Sequence, residues 1–168
     1  LRDFVATGSN KLILDLRGNP GGYLDAAVDM ASWFLPKDKV VIKEAAGKSG
    51  TAVSEVSRGY NIFNNNLRMV ILVDGGSASA SEILAGALSE YGIATLVGAK
   101  TFGKGSVQEL VKLDDNAALK ITVAKWFTPN GVSISDSGIM PKYEVKVSPE
   151  DVKNKVDRQT LKAIELLR

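Results

Sequence analysis

Two apolar runs of the same design constrain this chain most. Residues 11–17 (KLILDLR) and 69–74 (MVILVD) are rich in Leu, Ile and Val, and each breaks off into small, turn-forming residues: GNPGG after the first, GGSASAS after the second. Runs of this kind bounded by glycine read as buried strands. Behind each turn an apolar pattern of helical spacing begins. Ala26, Ala27, Met30, Trp33 and Phe34 mark one helix, from about Asp25 to the stop at Pro36; Ile83, Leu84, Ala87, Leu88 and Tyr91 mark the other. The unit is strand, tight turn, helix, used twice. Further strands are expected at 39–43, 94–98, 107–113 and 119–127, the last alternating Leu119, Ile121 and Val123 before a TPNG turn. The polar stretch 45–66 reads as loops with one edge strand, and a final helix starts near Asp157 with Leu161, Ile164 and Leu167 as its apolar stripe. Strands alternating with helices, followed by consecutive strands, predict an α/β (mixed α+β) domain around one mixed sheet with flanking helices.

Length sets the number of cores. At 168 residues, without an internal repeat, the chain is expected to form one domain, 1–168. The charges nearly cancel, 21 basic against 19 acidic residues, so no excess is left to neutralise a row of phosphates and nucleic acid is not an expected partner. No apolar run approaches the roughly 18 residues that span a bilayer. The chain opens at Leu1 in what reads as the end of a helix, LRDFVATG, so further sequence is expected upstream of it.

The two zero counts narrow the chemistry. With neither Cys nor His, there is no thiol nucleophile, no imidazole base and no conventional zinc site, and neither cofactor nor metal is expected. A hydrolase built from this sequence has to attack with a hydroxyl or a carboxylate, and its base has to be a carboxylate, a lysine or water.

Two loops could carry such chemistry. Ser79 sits where a strand turns into a helix, so its hydroxyl is placed beside free backbone N–H groups that would also stabilise an oxyanion. Ser79 and Glu82 match a capping box as well, which is the commoner use of serine at a helix start. Lys104 stands between Gly103 and Gly105 in TFGKGSVQ, where the missing side chains allow close approach of another segment and burial of the amine. A lysine acting as base must be neutral near pH 7, and bringing its pKa down from about 10.4 takes on the order of 4 to 5 kcal/mol of lost ammonium stabilisation, hence a desolvated site. Gln108, four residues on, could orient the amine without holding it charged. The GNPGG turn could add an N–H from Gly21 or Gly22.

Taken together, LILDLRGNPGG at 12–22, GSASASEILAGAL at 76–88, TFGKGSVQ at 101–108, and WFTPNGVSI followed by GIMP at 126–141 resemble the C-terminal processing peptidases, or tail-specific proteases. The resemblance covers nearly the whole chain. It implies a crotonase-like core related to the Clp peptidase, with Ser79 as nucleophile, Lys104 as general base and Gln108 orienting the lysine. It implies an oxyanion hole from the N–H of Ala80 and one of Gly21 and Gly22. It also implies unfolded or C-terminal peptide segments as substrates and an extracytoplasmic place of work: periplasm, membrane surface, spore or thylakoid lumen. Relatives carry a PDZ domain ahead of the strand at residue 12 and often assemble through helical termini, which points to a homodimer. The chain departs from the pattern in lacking a recognisable PDZ segment, and in Pro141-Lys142 where relatives often have Pro-Asp. Two rival readings fit parts of this: a catalytically silent scaffold that binds peptides, and a crotonase-type enzyme acting on acyl thioesters, which would need catalytic carboxylates and a coenzyme A pocket.

Overall fold

The computed structural model describes residues 2–45, 53–60, 62–63, 66–115, 117–135 and 137–168. Helix α1 (Arg2–Ala6) leads into strand β1 (Lys11–Asp15), and the turn after it delivers helix α2 (Leu24–Ala31). Strands β2 (Val40–Ala45), β3 (Val53–Val56) and β4 (Arg68–Val73) follow, then helix α3 (Ala80–Glu90) and strand β5 (Ala94–Gly98). Strands β6 (Ser106–Lys112), β7 (Ala118–Phe127) and β8 (Tyr143–Glu144) precede two C-terminal helices, α4 (Pro149–Lys153) and α5 (Arg158–Leu166). The edge strand expected within 45–66 is β3; positions 46–52, 61, 64 and 65 of that stretch lie outside the described residues.

The α/β class is as expected, but the strands divide into two sheets where one mixed sheet was anticipated. One sheet is parallel, in the order β1-β4-β5-β8, and the other antiparallel, in the order β3-β2-β7-β6. The division follows from the connections. A helical crossover such as α3 returns the chain to the same end of the sheet and makes its flanking strands parallel, whereas β6 and β7 are joined directly and must run antiparallel.

Strand β4 reads as an unbroken apolar run because both of its faces are covered. Met69, Ile71 and Val73 belong to the main core with Ala27, Val28, Ile83 and Leu84 of α2 and α3. Val70 and Leu72 face the other way and pack with Val97 of β5 and with Ala163 and Leu167 at the end of the chain. Helix α3 lies between the two sheets, against β2 on one side and β5 on the other. Every residue from Ala80 to Leu88 is buried, so the helix has no solvent face along most of its length.

Three expectations about faces are corrected. In α2 Ala26 is exposed, and Val28 and Ala31 take its place in the core. In α5 the buried side is Gln159, Ala163 and Leu167, while Leu161 and Ile164 point outward at 58% and 41% exposure. Leu119, Ile121 and Val123 alternate along β7 but are all exposed; among the described residues this part of the strand pairs with β6. The end that pairs with β2, residues 125–127, carries the half-buried Trp126 and Phe127 and follows directly on the buried Ala124. No described helix is long and apolar enough to cross a membrane.

Candidate active site

Strands β1, β4 and β5 are neighbours and parallel, so the loops after their carboxyl ends emerge side by side: 16–22, 74–79 and 99–105. Crevices at the carboxyl ends of parallel strands are where α/β proteins bind ligands. The first two loops are joined by hydrogen bonds. Asp74 Oδ1 accepts from the N–H of Gly18 and of Gly76, both at 2.8 Å, and from the Ser77 N–H at 3.1 Å. The Ser77 hydroxyl donates to the Leu16 carbonyl at 2.7 Å, and the Ala78 N–H donates to the Asn19 carbonyl at 3.0 Å.

Ser79 stands at the end of this joined turn with φ 56 and ψ −120, and it is 7% exposed. A non-glycine residue held in that region costs on the order of 1 to 3 kcal/mol, and strain of this kind concentrates at functional sites. The GNPGG turn approaches closely enough to explain its glycine. At Gly21, φ +93, a β-carbon would lie 2.5 Å from the Ala78 carbonyl oxygen and 2.8 Å from the Ala80 nitrogen, so only glycine fits. The Gly21 N–H is taken by Asn19 Oδ1 at 2.9 Å. Among the described residues the N–H groups of Gly22 and Ala80 have no hydrogen-bond partner, which makes them the available pair beside Ser79. An apolar pocket of about 130 Å³ opens next to them, lined by Leu16, Ala26, Ala27, Met30, Ala80 and Leu84 among others.

The third loop is fixed through its backbone. Thr101 N–H donates to the Ile139 carbonyl at 3.1 Å and Phe102 N–H to the Ser77 carbonyl at 3.0 Å. The Gly103 and Lys104 N–H groups donate to the Glu82 carboxylate at 2.8 and 2.9 Å, and the Gly105 carbonyl accepts from Trp126 N–H at 2.7 Å. The close approach expected at the flanking glycines occurs at Gly105, where a β-carbon would lie 2.3 Å from the Ser135 nitrogen.

The side chains of this loop are a different matter. The burial expected for Lys104 is corrected: the residue is exposed, and among the described residues its ammonium makes no hydrogen bond or ion pair. The close packing that the two glycines permit engages the backbone, not the amine. Gln108 lies on β6 opposite Thr122, beside a register shift, and is exposed as well. The structure therefore brings together Ser79, Ala80, the Gly21–Gly22 turn and the backbone of Lys104, and it does not join the side chains of Lys104 and Gln108 to Ser79. Two residues at the site escaped the sequence reading. By sequence Asp74 is only the end of a strand and Glu82 only half of a capping box; the signal for Glu82 is a carboxylate placed directly before six uncharged, largely apolar residues, Ile83 to Leu88.

Peptidase family S41 matches residues 1–145. The chain belongs to that family. It is 44% identical over 170 residues to a carboxyl-terminal-processing protease of Synechocystis sp., an alignment that covers 99% of this chain and 39% of that protein. It is 45% identical over 138 residues to a probable CtpA-like serine protease of Staphylococcus aureus, covering 82% of this chain and 28% of that one. Among solved structures, a photosystem II D1 C-terminal processing protease superposes with a TM-score of 0.81 at 32% identity, over 99% of this chain and 43% of its own. The chain thus spans well under half the length of these curated relatives. All three parallel-strand loops lie inside the segment that matches the family.

Proposed function

We propose that this chain is the catalytic core of a serine endopeptidase that cleaves proteins in or near their C-termini through a Ser79–Lys104 pair. The observation that carries the reading is Ser79 itself, held at φ 56 in the turn after the carboxyl end of β4 and followed by Ala80, whose N–H has no partner among the described residues. In the proposed reaction, neutral Lys104 Nζ takes the proton of Ser79 Oγ as the Oγ–C bond forms at a peptide carbonyl. The carbonyl oxygen becomes the oxyanion and is held by the N–H of Ala80 and of Gly22. The C–N bond then breaks, Lys104 hands its proton to the leaving amine, and an acyl ester remains on Ser79. Water attacks that ester, gives its proton to Lys104, and the serine is regenerated when the proton returns to Oγ. Gln108 orients the amine. The apolar pocket beside Ala80, about 130 Å³, is of a size to take a small apolar side chain on the acyl side of the cut.

Because Lys104 is exposed in the free chain, bound substrate has to cover it before it can act as a base. The same exposure favours a second reading, a peptide-binding module in which the amine stays charged. The crotonase-type reading loses support, since the buried carboxylate nearest Ser79, that of Glu82, is already occupied by four donors of its own chain. We extend the peptidase reading to an extracytoplasmic enzyme, to a PDZ domain supplying tail recognition in the full-length protein, and to a homodimer.

Hydrolysis of casein, measured from pH 6 to 10 for the chain and for Ser79→Ala, tests the core of this. Activity that rises with pH and vanishes in Ser79→Ala is the expected result, with Lys104→Ala losing a hundredfold or more, on the order of a general base's contribution. Activity that survives in Ser79→Ala would sink the peptidase mechanism. Peptide binding with no hydrolysis by either protein would select the binding module.

A further inference from the structure

Glu82 is fully buried, at 0% exposure, in the first turn of α3. No cation accompanies it among the described ion pairs; its two oxygens are met by four hydrogen-bonding groups. Oε1 accepts from the Thr101 hydroxyl at 2.5 Å and from the Gly103 N–H at 2.8 Å. Oε2 accepts from the Ser79 N–H at 2.9 Å and from the Lys104 N–H, also at 2.9 Å. Three of the four are backbone N–H groups, which can only donate, and between them they reach both oxygens of the side chain. A helix cap explains one of these contacts, the bond from Ser79. It does not explain the three from residues 19 to 22 positions further along.

We propose that Glu82 is a positioning residue for catalysis, whose Oε2 fixes the backbone of Ser79 and the backbone of Lys104 to one shared point. The proposal rests on the Ser79–Lys104 reading above. Its physical content is a distance constraint. The free chain does not hold the lysine through its side chain, so the amine's path to Ser79 Oγ is set by where the Lys104 backbone begins, and that origin is tied to the nucleophile's own N–H. Thr101, itself bonded to the Ile139 N–H at 2.7 Å, braces the other oxygen and keeps the carboxylate from rotating. Four hydrogen bonds converging on one fully buried side chain are costly to rearrange, because any partner pulled away is left unsatisfied in the interior.

The substitution Glu82→Gln separates this role from simple capping. The amide nitrogen must replace one oxygen, and in either orientation it opposes at least one backbone N–H with a donor. Glu82→Asp keeps the carboxyl group but is one methylene short of reaching both loops. Three quantities are measured for each variant, per folded molecule as determined by circular dichroism: the rate at which a fluorophosphonate labels Ser79, the pH profile of that rate, and kcat and KM on a peptide. Both variants should lose about a hundredfold in labelling rate and in kcat, the loss expected for a misplacement of about 1 Å, with KM changed less than about threefold and the pH midpoint displaced. If Glu82→Gln does not fold, Glu82→Asp decides alone. Folded variants that label at the wild-type rate with the wild-type pH profile overturn the proposal while leaving the Ser79–Lys104 mechanism intact. Labelling that persists in Ser79→Ala, or a chain that is not labelled at all, overturns both.

Discussion

Ser79 keeps a backbone conformation, φ 56 and ψ −120, that serine adopts only when its neighbours impose it. The neighbours are identifiable: Glu82 holds its N–H, and the Gly21 backbone lies where any side chain would meet Ala78 and Ala80. Gly21→Ala should therefore cost on the order of 1 to 3 kcal/mol of stability, from positive φ and overlap together, and should slow fluorophosphonate labelling of Ser79 at least tenfold. Urea unfolding and labelling kinetics on the same preparation check both halves; an unchanged labelling rate would mean the turn does not support the nucleophile. At this scale the sequence was informative about residue type and silent about environment. Ser79, Lys104 and the glycine turn stand out by composition and spacing. That Gly21 has its N–H occupied while Gly22 does not, and that Lys104 faces solvent, depends on atoms from other loops.

Helices α2 and α5 illustrate how far periodicity reaches. It located both elements to within a few residues, but it assigned Ala26 inward in α2, and in α5 only Leu167 of its stripe of Leu161, Ile164 and Leu167 packs, beside Gln159 and Ala163. Polar Gln159 is buried because its amide donates to the Val145 carbonyl at 2.9 Å, a partner that no local pattern announces. The attachment of α5 also has an electrostatic part. Arg17, in the turn after β1, bonds Asp15 at 2.7 Å and Asp157, the N-cap of α5, at 2.9 Å. These hydrogen bonds hold both carboxyls below the ordinary aspartate value and raise the guanidinium. A depressed carboxyl adds stability that is fully present above its unfolded value, near 3.8, and is lost as pH falls below that value. The urea midpoint should accordingly hold from pH 7 to about pH 5 and drop below about pH 4. Asp157→Asn retains a cap but not the charge, so it should start lower at neutral pH and lose less on acidification. Equal acid slopes in the two proteins would show that the Arg17 clamp contributes nothing.

At the scale of the whole molecule the two sheets share one core through α3, whose Leu88 is at 0% exposure. Leu88→Ala should cost about 2 to 5 kcal/mol and still unfold in one transition. Fluorescence of Trp126, on the antiparallel sheet, read in a Trp33→Phe background, and far-ultraviolet circular dichroism should report the same midpoint; two midpoints would mean that the sheets unfold independently. The sequence by itself determined every strand but the short β8, the turns that end them, the α/β class and, by containing no Cys or His, a chemistry limited to hydroxyl, carboxylate and amine. These are local or compositional properties, set by side-chain size, branching and backbone freedom within a few residues. Only the tertiary structure decided that the strands form two sheets and that the order β1-β4-β5 sets three distant loops beside one another. It also decided that one buried carboxylate joins Ser79 to Lys104 while the amine stays in solvent. Strand order, burial and hydrogen-bond partners come from contacts between segments far apart in the chain, and a local pattern carries no record of which segment will lie opposite.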